Sequence, residues 1–132
     1  MGPKFVISFV VIFVLTVILD FIIHGVLLGG DYAQLSQLYR DPEDKSYMPF
    51  LFLGQACFAA GFVWIYVKGK EDKPFLMQGV RYGIAVAALA AVSMYLISYA
   101  VQPLPAVLVI KQIVFQSIAA VMLGIAVAWL NR

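Results

Sequence analysis

Four long apolar runs separated by short polar connections organise this chain: Phe5 to Leu28, Pro49 to Val67, Pro74 to Val101 and Pro105 to Leu130. Within each run the apolar residues are continuous rather than alternating, and each run approaches or exceeds the roughly 20 residues a helix needs to cross a bilayer. Backbone groups in lipid must be satisfied within their own segment or by closing a barrel, so continuous runs predict helices. Pro49, Pro74 and Pro105 stand at or near the starts of three runs, where a fixed φ and a missing N–H are harmless. The pattern therefore predicts an all-α polytopic membrane protein, a four-helix up-and-down bundle in a single domain. Its spans cover about 5–28, 49–67, 74–101 and 105–130, with a loop over about 29–48.

The connections refine this picture. Lys68 to Lys73 and Gln102-Pro-Leu-Pro105 are short, which makes the second, third and fourth spans antiparallel neighbours. The first connection is longer. Its segment Asp31-Tyr-Ala-Gln-Leu-Ser-Gln-Leu-Tyr-Arg40 places Tyr32, Leu35, Leu38 and Tyr39 on one side of a short amphipathic helix, capped by Asp31 and stopped by Pro42. Such a helix would lie on the membrane surface or roof the bundle; an irregular polar loop is the competing possibility. Small residues recur at every fourth position, as Gly79, Gly83, Ala87 and Ala91 on the third span and Ala120, Gly124 and Ala128 on the fourth, while the second offers Gly54 and Gly61. In lipid, close backbone approach at small residues supplies much of the attraction between helices, within one chain or between copies.

Composition agrees with the pattern: 64% of residues are hydrophobic, 12% are charged, and the mean hydropathy is +0.96, leaving no room for a water-soluble core and shell. The first run resembles a secretory signal only superficially, since it is too long for an h-region, contains Asp20 and His24 and lacks a small-x-small cleavage site; a retained helix is expected. Lys4, Lys68, Lys70, Lys73, Arg81 and Arg132 fall on one side of a four-span topology, and Arg40, Lys45 and Lys111 on the other. The excess predicts both termini in the cytoplasm. The net charge of +2 belongs to this asymmetry, and no nucleic-acid partner is expected.

Polar side chains inside the spans are the candidates for chemistry. Asp20 and Lys111 each interrupt an apolar run, and an ionisable group in hydrocarbon seldom persists without a partner or a task. At the rise of an α-helix, Asp20 lies ~12 Å from the outer end of its span and Lys111 ~9 Å from the outer end of its own. Thr16, Asp20 and His24 share a helix face through i, i+4 spacing, and Gln112 and Gln116 continue into the small-residue stripe of the fourth span. Gln55, Gln112, Tyr95, Ser98 and Tyr99 fall in the same outer half. The expectation is a ligand or proton site formed by Asp20, His24, Lys111, Gln55, Gln112, Tyr95 and Tyr99, centred on an Asp20 to Lys111 ion pair with His24 nearer its mouth. The same pair is compatible with a purely structural role in setting helix register. Arg81 is expected to snorkel to the headgroups, and Trp64, Tyr66, Tyr82 and Trp129 to form an interfacial belt.

Other chemistries find less support. The single cysteine, Cys57, excludes an internal disulfide and reads as a small apolar filler. Asp20, His24 and Cys57 lack a zinc-ligand spacing, haem would need a second axial ligand beside His24, and no phosphate-binding glycine loop is present. Neither a cofactor nor a metal is expected.

The residues Asp20 with His24-Gly25, and Gly79-Val-Arg81-Tyr82-Gly83, resemble patterns in small uncharacterised four-helix bacterial membrane proteins. That resemblance implies a four-span bundle and assigns neither an activity nor a functional residue. The chain does not resemble small multidrug transporters, whose first-helix carboxylate is a glutamate in a different context, and it lacks the Asn and Phe pattern of fluoride channels. Three function classes follow. The foremost is a non-enzymatic accessory or assembly subunit of a larger membrane complex, partnered by the lipid bilayer and by other membrane subunits or copies of itself. The second is a small proton-linked transporter or ligand-binding membrane protein using Asp20, His24 and Lys111. The third is a membrane enzyme acting on a lipid or quinone, with His24 as acid or base.

Overall fold

The computed structural model describes residues 2–132, and among them every regular element is helical. Four helices are long and apolar enough to cross a membrane: α1 (Pro3–Leu27), α3 (Lys45–Gly69), α4 (Phe75–Val101) and α5 (Ala106–Leu130). A fifth, α2 (Gly29–Ala33), is a single short turn after α1. These bounds lie within a few residues of those predicted. Helix starts follow the prolines: Pro3 and Pro49 occupy first-turn positions, and Pro74 and Pro105 immediately precede α4 and α5. Among the described residues no proline interrupts a helix interior, so the backbone ladders run unbroken.

Two helices widen locally. Phe21–Leu27 at the end of α1 and Ala88–Val92 in the middle of α4 are π-helical, and the Leu28 amide reaches back to the Ile23 carbonyl at 2.8 Å. Such insertions carry no simple sequence signal, and they redirect the side chains around them. Both fall in the half of the molecule that carries the polar side chains.

Packing is pairwise. α4 lies chiefly against α5, α3 against α1, and α1 also meets α5. The α4–α5 contact uses the small-residue stripes: a Cβ added at Gly79 would lie 2.7 Å from the Gly124 carbonyl oxygen, and one at Gly83 would lie 2.8 Å from the Ala120 oxygen. Backbones this close exclude any side chain. On α3 a Cβ at Gly54 or Gly61 would meet nothing within 4 Å, so of the two alternatives these glycines do not serve a close contact inside the chain. Cys57 is likewise exposed rather than filling a packed gap.

Two apolar clusters hold the helices, one toward each end. Ile12, Phe62, Val63, Tyr66, Leu123 and Val127 join α1, α3 and α5 near the Lys70–Pro74 turn. Ile23, Leu28, Leu108 and Ala119 join α1 and α5 beneath the first loop. At the turn end, Asn131 donates to Ser8 Oγ at 3.0 Å and to the Val127 carbonyl at 2.8 Å, while Lys70 donates to the Asn131 carbonyl at 2.8 Å. Gln78 closes the turn, accepting from the Glu71 amide and donating to the Glu71 and Lys73 carbonyls.

The first loop differs from the predicted amphipathic helix over 31–40. Helix persists only over Gly29–Ala33, and the chain continues in tight turns, with the Leu35 amide on the Tyr32 carbonyl and the Leu38 amide on the Leu35 carbonyl. A helix this short has little cooperativity of its own. Tertiary contacts decide its path instead, because Tyr32 and Leu35 pack down on the cluster around Leu28 and Leu108. Asp31 sits within the first helical turn rather than at the cap position. Asp44 supplies a cap further on, accepting from the Ser46 amide at 3.1 Å and its hydroxyl at 2.6 Å where α3 begins.

Candidate ligand site

Between the two apolar clusters lies a polar layer. Asp20 ends the regular α-helical part of α1, immediately before its π-helical segment. One carboxylate oxygen accepts from Gln55 Nε2 of α3 at 2.9 Å, and the other from Gln116 Nε2 of α5 at 3.2 Å. Gln116 Nε2 also lies 2.6 Å from His24 Nε2, and His24 Nδ1 lies 2.7 Å from the Tyr32 hydroxyl. Gln112, one turn before Gln116, donates to the same Tyr32 oxygen at 3.1 Å. The result is a hydrogen-bonded line from Asp20 through Gln116 and His24 to Tyr32. Burial pushes the Tyr32 phenol above its ordinary pKa, with the Gln112 bond opposing that shift.

The expected Asp20 to Lys111 pair does not form. Lys111 Nζ pairs with Asp31 of the first loop at 3.2 Å, and glutamine amides occupy the oxygens of Asp20. Depth along the helices correctly placed both groups in one half of the molecule. It could not register that the loop folds down and delivers a nearer carboxylate, which spares Lys111 from deeper desolvation.

The remaining predicted residues divide. Gln55 and Gln112 are buried, at 7% and 4% exposure, and both join the cluster. Tyr95 of α4 lines the cleft beside Asp20, whereas Tyr99 is exposed and takes no part in these bonds. Gln116 was legible as an inward-facing residue from its i+4 relation to Gln112, yet it proves to be the hub that joins Asp20 to His24. Ser8 and Asn131, which form the clasp at the opposite end, had no advance signal beyond being polar residues at helix ends.

The cleft beside Asp20 has a volume of about 410 Å³. Its floor is α1 and α5, with Thr16, Leu19 and Asp20 on one side and Gln116, Ala120 and Leu123 on the other. Its walls are α3, through Phe50, Gly54 and Phe58, and α4, through Val86, Ala90 and Tyr95. α3 and α4 meet near the turn end, where the Tyr82 hydroxyl donates to the Phe62 carbonyl and its ring packs on Phe62 and Tyr66. Toward the loop end, the cleft separates them. Two of its lining residues, Thr16 and Gln55, carry buried side-chain oxygens, Oγ1 and Oε1, that have no hydrogen-bond partner among the described residues. A smaller cavity of about 290 Å³ adjoins it at Tyr95 and includes Ser98, Gln112 and Tyr32.

These contacts bear on the possible chemistry. Both His24 nitrogens are engaged by Tyr32 and Gln116. Among the described residues, no three His, Cys, Asp or Glu side chains gather in a metal-binding group. Comparisons with protein-family models, with curated proteins and with solved structures return no match for this chain.

Proposed function

We propose that this chain is a non-enzymatic multi-pass membrane protein that binds a small ligand in the cleft beside Asp20. Its long helices are read as an up-and-down bundle in the bacterial inner membrane, with both termini cytoplasmic. Support for insertion comes from the outward surfaces: Val6, Val10, Val14 and Ile18 on α1, and Leu76, Ile84 and Leu89 on α4, are large, apolar and exposed. Contiguous apolar surface on this scale fits lipid better than water. The basic residues near the Lys70–Pro74 turn and both termini support the orientation.

The observation that carries ligand binding is the cleft itself: a space of about 410 Å³ whose lining residues include Asp20 together with Thr16 and Gln55, each of which carries a buried side-chain oxygen without a hydrogen-bond partner among the described residues. Pockets of this size accommodate small organic ligands, and buried polar atoms without partners cost stability unless something occupies them. The line from Asp20 through Gln116 and His24 to Tyr32 supports coupling that binding to a proton. Native mass spectrometry after mild extraction from the native membrane tests the proposal. A small-molecule adduct retained by the wild type and lost in Ala90→Trp, which fills the cleft, is expected. Equal adducts in both proteins, or none in either, would overturn it.

A second reading, an accessory subunit of a larger complex, draws on Gly61, which lies on α3 outside the cleft lining and where an added methyl group would meet nothing within 4 Å. Co-extraction of a second polypeptide that is lost in a Gly61→Leu variant would favour it.

A further inference from the structure

We infer that the ligand of this cleft is a lipophilic ammonium ion, an apolar body carrying a positively charged N–H donor, which enters sideways between α3 and α4. The inference rests on the ligand-site reading above and adds the chemical class.

The polar atoms set the demand. Each Asp20 oxygen accepts one amide hydrogen, from Gln55 or Gln116, and a carboxylate oxygen has capacity for a further bond. Gln55 commits its Nε2 to Asp20, leaving its Oε1 buried and unpartnered. Thr16 Oγ1, on a residue only 5% exposed, is unpartnered as well. Carboxylate and amide oxygens are acceptors only, so the wanting partner is a donor. Among the described residues, no Lys, Arg or His lines the cleft: Lys111 is held by Asp31, and His24 lies on the far side of Gln116. The carboxylate therefore has neutral amides for company and no counter-charge of its own, a costly arrangement at membrane depth that a bound cation relieves.

The walls set the rest. Leu19, Leu51, Val86 and Leu123 suit an apolar body, while Phe50 and Phe58 add aromatic side chains to the lining, a surface that tolerates a cation better than an aliphatic one. A hard metal ion fits poorly, because it would require several oxygen ligands with more than one carboxylate among them. Entry from the lipid follows from the splaying of α3 and α4 away from their contact at Tyr82. The apolar tail partitions into the lipid, and the polar lining beside Asp20 supplies what the ammonium head needs below the headgroup level.

The test uses the full chain in nanodiscs of zwitterionic phosphatidylcholine, with empty discs subtracting simple partitioning. The probes are dodecylammonium, dodecanol and dodecanoate, equal in chain length and differing in head group. Wild type is expected to bind dodecylammonium on the order of tenfold tighter than dodecanol and to exclude dodecanoate, with the preference lost in Asp20→Asn. Thr16→Val leaves Asp20 in place and is expected to lower ammonium affinity a few-fold, which keeps the inference testable should Asp20→Asn fail to fold. Dodecanol binding as tightly as dodecylammonium, with both lost in Ala90→Trp, would overturn the cationic class and leave the ligand site standing. Binding of none of the probes above empty discs would also overturn the inference, and the native-adduct measurement then judges the ligand site independently.

Discussion

Asp20 and His24 are joined through one amide: Gln116 Nε2 lies 3.2 Å from Asp20 Oδ1 and 2.6 Å from His24 Nε2. A primary amide nitrogen carries two hydrogens, so it satisfies both acceptors at once when His24 is neutral with its proton on Nδ1, facing Tyr32. Protonating Nε2 would oblige the amide to turn its oxygen toward the ring, which takes the donor from Asp20. The expected 15N spectrum of His24 in the wild type is that of the Nδ1–H tautomer. Gln116→Leu should yield a mixed tautomer and cost about 1–3 kcal/mol, since it strips a partner from two part-buried groups. An unchanged tautomer in that variant would show that Gln116 does not set it.

The pairing of Lys111 with Asp31 leads to a double-mutant cycle. Lys111 and Asp31 side chains are 43% and 31% exposed, so their coupling should be small, about 0.2–1 kcal/mol. Asp31→Asn and Lys111→Met should each loosen the first loop, read as faster amide exchange over residues 29–39, and the double variant should loosen it no further than Lys111→Met alone. Asp20→Asn combined with Lys111→Met should be additive, because the two side chains share no bond. Strong coupling in the second cycle and none in the first would reverse the assignment.

Glycines on two faces should respond in opposite directions. At Gly124 a methyl group would collide with the Gly79 carbonyl and the Gly83 backbone, so Gly124→Ala should force α4 and α5 apart at a cost of about 1–3 kcal/mol. Gly61→Ala meets open space and should be neutral or stabilising by up to about 1 kcal/mol, from helix propensity alone. Thermal unfolding in detergent compares the two, and a similar loss in both would place a partner on the Gly61 face.

Tyr32 gives the loop a pH limit. Burial raises its pKa above the ordinary phenol value, while the Gln112 bond opposes the shift and the neighbouring Tyr39 and Asp31 add to it. A raised acid favours its protonated form in the folded state. Its contribution is thus fully present below the unfolded value of about 10 and is lost as pH rises from there through the folded value. Tyrosinate absorbance should show one fewer late-titrating phenol in Tyr32→Phe than in the wild type, and loop protection should fall over the same alkaline range.

Helix class, the number of long apolar helices and their approximate limits were legible in the chain because each depends on local properties: run length, continuity of apolar residues and the positions of Pro49, Pro74 and Pro105. The α4–α5 stripe was legible for a related reason, since small residues at every fourth position define a face whatever lies opposite. The site was legible only in part. Depth and spacing brought Asp20, His24, Gln55 and Gln112 to one level, but they could not say which donor reaches which acceptor. Tyr99 shares that level with Tyr95 and nevertheless faces outward.

What the sequence determined by itself was therefore an all-helical chain with four runs fit for a bilayer and a set of polar residues at a common height. The tertiary structure decided the partners. The first loop folds onto Leu28 and Leu108 and hands Asp31 to Lys111, and Gln55 and Gln116 converge on Asp20 from separate helices. Near the turn end Tyr82 holds α3 and α4 together, and beyond it they part to leave the cleft. Periodicity and hydropathy act along one segment at a time, whereas a hydrogen bond between residues 20 and 116 depends on how two helices rotate and lean, which only the packing of the whole chain sets.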